Sequence, residues 1–343
     1  MNEENKTMQV RIKRGPADWI KTAVGVLFLI IIISFFFFQP EQPTQWEYLD
    51  EGLGTMTTAP EIGEETAVIG MLDLNGIILN KAFAPSGVLQ TQTYITPEQV
   101  RRELNAFQGE DLDALLVKIT TPGGSVAASD ELARLIQVFS EESVPVIVYT
   151  SSLLASGGYY MAAPADAIYS APQAMVGSIG VLFQAVNAQE LMEDKLGVQV
   201  RIFKEGRFKD LGSPFKELTP AEEEVINEQI NDAYEAFLQT ILDGREISRE
   251  RLTELATGRV FTGNEAAEKK LVDGAMYMDQ LMRKMKSDLN KQELVFLRYK
   301  EPVGLLGQLF LGRRGSTARE LVHLFDPLSR FTLPSGLYYL MDG

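Results

Sequence analysis

The chain is 343 residues long, room for one large domain or two modest ones with appendages, and its 45% hydrophobic and 23% charged residues argue against wholesale disorder. The 47 acidic against 32 basic residues give a formal net charge of −15, a field that opposes general binding to a nucleic-acid backbone. There is no cysteine, which excludes disulfides, thiolate catalysis and cysteine-ligated metal, and the single histidine, His323, is the one imidazole available to any histidine-dependent mechanism.

Residues 1–21 carry Lys6, Arg11, Lys13, Arg14 and Lys21, and precede an uncharged run, TAVGVLFLIIIISFFFF, from Thr22 to Phe38. Trp19 at the interface and a snorkelling Lys21 extend this run to about 20 usable residues, the length of a transmembrane helix. Between Glu41 and Glu65 there are 7 acidic residues and no basic one. Basic residues stay on the cytoplasmic side, so residues 22–38 are expected to anchor the chain in the cell membrane with its bulk outside the cytoplasm. The run exceeds the 7–15 residues of a cleaved signal peptide, and the nearest small-residue site, Thr57-Thr58-Ala59, is distant and followed by Pro60.

Residues 39–65, with Pro40, Pro43, Pro60, Gly52 and Gly54, read as an extracytoplasmic linker. From 66 to about 290 strands and helices alternate. Ala67–Leu72 reads as a strand, Asn75-Gly76 as a turn and Ile77–Leu79 as a short strand. Thr96-Pro97-Glu98-Gln99 supplies a cap, a proline at the first helical position and a capping-box glutamine for a helix to about Phe107. Ala114–Ile119 is a strand, Val126–Phe139 a helix with Leu132, Leu135, Ile136 and Phe139 on one face, and Val144–Tyr149 and Ala167–Tyr169 further strands. Thr219-Pro220-Ala221-Glu222 opens a long helix to about Leu242, and Ser248 and Thr262 cap two more. Such repeats imply an α/β fold with mainly parallel pairing. Residues 291–343 form a C-terminal tail with apolar stretches at Val295–Leu297, Leu305–Leu311 and Leu337–Met341; whether they pack on the domain, on another subunit or at the membrane is left open.

Three glycine-containing turns follow strands: Thr121-Pro122-Gly123-Gly124-Ser125, Ala155-Ser156-Gly157-Gly158-Tyr159 and Val176-Gly177-Ser178-Ile179-Gly180. Strand-end loops gather at one edge of a parallel sheet. A helix is expected just beyond each turn, adding unpaired N–H groups suited to an oxyanion. A serine nucleophile there needs a base. His323 lies in an amphipathic stretch, Arg319–Phe325, that reads as a helix surface. A lysine base must shift from a pKa of about 10.4 downward by about 2–3 units, a differential of roughly 3–4 kcal/mol that burial can supply. Lys204, Lys209 and Lys216 share one loop, and the residues alone do not choose among them.

The motifs TPGGSVAASDEL (121–132), ASGGYYMAAPAD (155–166), Ala171-Pro172 through Gly177-Ser178-Ile179-Gly180-Val181, GRFKDLGSPF (206–215), TGRVFTG (257–263) and Leu271-Val272-Asp273 resemble, in this order, the signal peptide peptidase A family, the S49 or protease IV group of membrane serine peptidases. The resemblance covers about residues 66–280, with Thr121 where serine is frequent and Phe208 where tyrosine is. It implies a ClpP/crotonase-like fold, Ser156 as nucleophile, Lys209 as general base and Ser178 as the hydroxyl that orients it. The backbone N–H groups of Gly157 and of Gly123 or Gly124 would form the oxyanion hole. It further implies no metal or cofactor, substrates that are cleaved signal peptides or other short apolar peptides, and a homo-oligomer with sites at subunit boundaries. The rival expectations are a catalytically silent scaffold or membrane-protein partner of the same fold, and a crotonase-type acyl-CoA enzyme, against which an anchor leading away from cytoplasmic CoA counts.

Overall fold

The computed structural model describes residues 45–81, 93–300 and 337–340. The chain divides into two units, Met1–Gln45 and Trp46–Gly343, and the second holds the α/β architecture. The expected anchor at 22–38 and His323 lie outside the described residues; among those described, no helix is long and apolar enough to cross a membrane.

From the N-terminal side run β1 (Gln45–Leu49), β2 (Thr66–Asn75), β3 (Ile77–Ile78), β4 (Tyr94–Ile95), α1 (Pro97–Ala106), β5 (Ala114–Thr120), β6 (Gly123–Ser125) and α2 (Val126–Glu142). Next come β7 (Val146–Thr150), β8 (Leu153–Ala155), α3 (Gly157–Ala162), β9 (Ala167–Ser170), β10 (Met175–Gly177), β11 (Leu182–Phe183) and a π-helical turn at Leu191–Lys195. Then follow α4 (Pro220–Gly244), α5 (Arg249–Leu255), β12 (Val260–Thr262), α6 (Gly263–Glu268), β13 (Gly274–Ala275), α7 (Met278–Leu289), β14 (Glu293–Lys300) and β15 (Leu337–Leu340).

Seven strands form the main sheet in the order β1-β14-β2-β5-β7-β9-β13, parallel from β14 through β13. The expectation of an α/β domain with mainly parallel pairing is met. Its strands are apolar almost throughout because both faces are covered. Along β2, Val68, Leu72 and Leu74 enter one core with α1, α2 and α4, through Leu104, Ile136 and Phe237. Ala67, Ile69 and Met71 enter the other, against Leu281, Met282 and Met285 of α7.

Two stretches contribute more than their composition indicated. Within the expected linker, β1 edges the main sheet: Trp46 stacks on Phe107 with ring centroids 5.1 Å apart, Glu47 accepts from Arg298 Nε at 3.0 Å, and Leu49 is buried. Within the expected tail, β14 carries Leu294 to Leu297 into the two cores, Phe296 fully buried. That run was apolar without alternation because it is a strand covered on both sides.

The caps follow the sequence with one exception. Thr219–Glu222 and Thr262–Glu265 form reciprocal capping boxes, and Ser248 caps α5. At α1, Thr96 accepts from Gln99 N at 3.2 Å, but the Gln99 amide donates to Glu103 at 2.9 Å instead of reaching back. That box is half formed.

Candidate active site

The three glycine turns converge through two smaller sheets. In one, of order β12-β10-β8, β8 and β10 are parallel with Gly177 beside Ala155. The residue after each strand is therefore a serine, and Ser156 and Ser178 sit side by side at adjacent strand ends. The first turn joins them through Thr121, whose N–H donates to Leu153 O at 2.9 Å and whose carbonyl accepts from Ala155 N at 3.2 Å. A Cβ at 158 would lie 2.2 Å from Thr121 Cγ2, too close unless that side chain shifts. A helix follows the first two turns, α2 and α3, but the third leads into β11, a departure from the expected pattern. There the chain pairs across the mouth of the turns: β15 runs antiparallel to both β11 and β6, with Tyr339 opposite Gly124 and Leu340 opposite Gly123.

Ser156 occupies a strained elbow. Its φ is 54° and ψ −120°, a region costing a non-glycine residue of the order of 1–3 kcal/mol. The strain is held by its N–H, which donates to Gly177 O at 2.7 Å, and by its carbonyl, which accepts from Tyr160 N at 2.9 Å to start α3. Ser156 stands at the N-cap yet its side chain makes no capping bond. The hydroxyl is fully buried and has no hydrogen-bond partner among the described residues. A buried hydroxyl left without a partner costs about 1–3 kcal/mol, and a catalytic role is one explanation for keeping one. Ser178 also has a positive φ, 51°, and its N–H donates to Arg259 O at 2.9 Å. Of the two first-turn glycines expected to supply an oxyanion donor, Gly123 donates its N–H to Thr121 Oγ1 at 3.0 Å.

The structure separates the three loop lysines. Lys204 donates to Arg207 O at 2.9 Å and pairs with Asp210. Lys216 pairs with Asp210 at 3.3 Å and with Glu222. The bond to Glu222 above all, and then Asp210, holds the Lys216 ammonium above its ordinary value, the wrong direction for a base. Lys209 is exposed, and its amine has neither ion pair nor hydrogen bond among the described residues. Within one chain it does not hydrogen-bond to Ser156, whose hydroxyl has no partner among the described residues.

Residues 139–292 match the profile of peptidase family S49. The chain is 26% identical over 338 residues to a candidate signal peptide peptidase SppA of Enterococcus faecium, covering 94% of this chain and 97% of that protein. It is 34% identical over 200 residues to a candidate protease of Methanocaldococcus jannaschii, covering 58% of this chain and 64% of that one. With the chloroplastic serine protease SPPA of Arabidopsis thaliana it shares 31% identity over 258 residues, 73% of this chain and 37% of the relative. The chain belongs to peptidase family S49. It is a serine peptidase of that family, spanning 97% of the first relative, 64% of the second and 37% of the third.

In this S49 peptidase the support beneath Ser156 was not visible in the sequence. The six-residue helix α3 is clamped at its far end by Arg245, which donates from Nε to Ala163 O at 3.2 Å, from one terminal nitrogen to Asp273 at 2.6 Å and from the other to Ala165 O. Asp273 also accepts from Ile168 N at 2.7 Å. Tyr159, fully buried on α3, donates its hydroxyl to Leu271 O at 2.6 Å. Leu271-Val272-Asp273 is among the family-like motifs, and its role here is to grip the helix that starts at the Ser156 elbow.

Proposed function

We propose that the protein is a membrane-anchored endopeptidase in which Ser156 is the nucleophile and Lys209 of a neighbouring copy is the general base. The single observation that carries this reading is the buried, partnerless hydroxyl of Ser156 on its strained elbow, at the start of a helix and beside Ser178. Lys209 supports it as the loop lysine left out of the ion pairs, and it is exposed in one chain. Packing of that loop against a second copy would take the amine out of water, and burial favours the neutral form of an amine. The same region leaves Leu196, Val198, Ile202 and Phe203 exposed, an apolar run suited to a subunit boundary. A ring-like oligomer of ClpP/crotonase-type domains satisfies both needs.

The neutral amine of Lys209 removes the Ser156 proton as the hydroxyl oxygen bonds to the peptide carbonyl carbon. Ser178 orients the amine. The carbonyl π-electrons pass to oxygen, held by the N–H groups of Gly157 and of Gly123 or Gly124. Collapse of the tetrahedral intermediate breaks the C–N bond, and the Lys209 ammonium gives its proton to the departing amine. Water, deprotonated by Lys209, then cleaves the ester and frees Ser156. Substrates are short, largely apolar peptides such as cleaved signal peptides, met at a membrane surface by a domain anchored through residues 22–38 and lying outside the cytoplasm. The chemistry calls for no metal or cofactor.

The test is hydrolysis of an apolar peptide panel by wild type, S156A, K209A and H323A. The first two variants are expected to lose activity and the third to keep it. S156A and K209A co-expressed in one oligomer are expected to recover part of the wild-type rate, since each supplies what the other lacks. An active K209A with an inactive H323A overturns the reading. A C-terminal tag digested by cytoplasmic protease overturns the orientation.

A further inference from the structure

An exposed amine that makes no bond of its own takes its position from the backbone that carries it. Around Lys209 that backbone is a run of reverse turns: Lys209 N donates to Gly206 O at 3.2 Å, Leu211 N to Phe208 O at 3.1 Å and Ser213 N to Asp210 O at 3.0 Å. Gly206 and Gly212, with φ of 93° and 76°, supply the left-handed positions on either side. Such a run has little apolar burial to hold it in place.

What ties it down is a chain of alternating charges. Lys204 grips Arg207 O and the Asp210 carboxylate, bracketing Lys209. Lys216 takes the other side of Asp210 and reaches Glu222 Oε1. Glu222 Oε2 accepts from Thr219 N and Thr219 Oγ1, each at 2.9 Å, at the first turn of α4. The chain thus ends on a rigid 25-residue helix. The second capping box serves as an internal comparison: the spare oxygen of Glu265 meets Arg259 at 3.3 Å, with both side chains well exposed. The Glu222 and Asp210 side chains are only 3% and 11% exposed. Removing their shared cation leaves the poorly solvated Glu222 without a cation and Asp210 with Lys204 alone, which loss of a surface pair does not do.

We propose that Lys216 is a positioning residue for the general base: by bridging Asp210 to Glu222 it fixes the turn bearing Lys209 to the capped end of α4. This rests on the reading of Lys209 as base. A misplacement of about 1 Å in a catalytic group costs on the order of 100-fold in rate, so the bridge acts on kcat and leaves peptide binding alone.

The experiment compares kcat and KM for hydrolysis of one apolar peptide by full-length wild type, K216M, K216R, D210N and K209A, with thermal unfolding and oligomer size measured on each. K216M is expected to lower kcat on the order of 100-fold with KM within about twofold. K216R, which can still span two carboxylates, is expected to restore most of kcat. D210N breaks both the Lys216 bridge and the Lys204 pair beside Lys209 but leaves the Lys216–Glu222 pair and the cap, so it is expected to lower kcat at least as much as K216M with KM unchanged even where K216M fails to fold. Wild-type kcat in D210N or in a folded K216M, a loss confined to KM, or a loss that arginine does not restore overturns the proposal. If K209A is inactive while K216M is normal, the positioning role alone fails; if K209A is active, the base assignment fails.

Discussion

Replacing Gly158 by alanine probes the contact that stacks the first glycine turn against the Ser156 elbow. Gly158 lies inside α3, where alanine is ordinarily favoured over glycine by about 0.5–1 kcal/mol. Here the new Cβ would stand 2.2 Å from Thr121 Cγ2 and 3.6 Å from Thr121 Cβ. Thr121 is fully buried and its hydroxyl is held by Gly123 N–H, so it cannot swing aside without losing that bond. Overpacking of this kind costs about 1–3 kcal/mol. G158A is therefore expected to destabilise by roughly 1–2 kcal/mol once the helical gain is subtracted. T121S removes the offending methyl and keeps the hydroxyl, at a cost near 1 kcal/mol for the lost carbon. The double variant G158A/T121S exchanges one methyl for another and is expected close to wild type, a coupling of about 2 kcal/mol. Thermal unfolding of the four full-length proteins in one detergent reads this as shifts of about 2–4 °C per kcal/mol. A G158A protein as stable as wild type, or a double variant equal to the sum of its singles, refutes the packing argument.

Three further perturbations address the surrounding scaffold. R245M removes the clamp on Ala163, Ala165 and Asp273, and is expected to cost about 2–3 kcal/mol, the range for bonds to a charged group; denaturant unfolding checks it. F296A in β14 is expected to cost about 3–5 kcal/mol, and a neutral result contradicts the assignment of that strand to the core. The Glu222 carboxyl is held down to about 2 from 4.5, first by the Lys216 bond and then by Thr219. A depressed carboxylate stabilises above its unfolded value and loses that contribution as pH falls through its folded one. The stability difference between wild type and E222Q is therefore expected to be constant from about pH 6 to 9 and to vanish between about pH 4.5 and 2. A difference undiminished near pH 2 excludes the ion pair as its cause.

Much of this architecture was legible because local rules and tertiary structure agree. Thr219, Ser248 and Thr262 cap helices where their side chains sit in sequence, and unalternated apolar runs at β2 and β5 became strands covered on both faces. β1 was hidden because Trp46 and Leu49 stand among prolines, glycines and acids, and their burial depends on Phe107 and on a β14 strand some 250 residues away. The half-formed box at α1 turned on a competing partner, Glu103, at an ordinary i,i+4 spacing that a motif does not weigh. At the site, the three glycine turns announced themselves, and their convergence through Thr121 followed. What spacing could not convey was charge pairing: the sequence does not rank Lys204, Lys209 and Lys216, and only the positions of Asp210 and Glu222 distinguish the one that has no ion pair among the described residues. The Arg245 clamp was equally silent, since its partners are mainly backbone carbonyls.

The central claim is that Ser156 becomes nucleophilic because Lys209 takes its proton. Its most direct measurement is the site and rate of acylation of the full-length protein by a serine-directed fluorophosphonate, followed by peptide mass mapping. The account predicts one adduct, on Ser156, absent from S156A and formed at least about 100-fold more slowly in K209A. An adduct on a different serine, or K209A labelled at the wild-type rate, contradicts it.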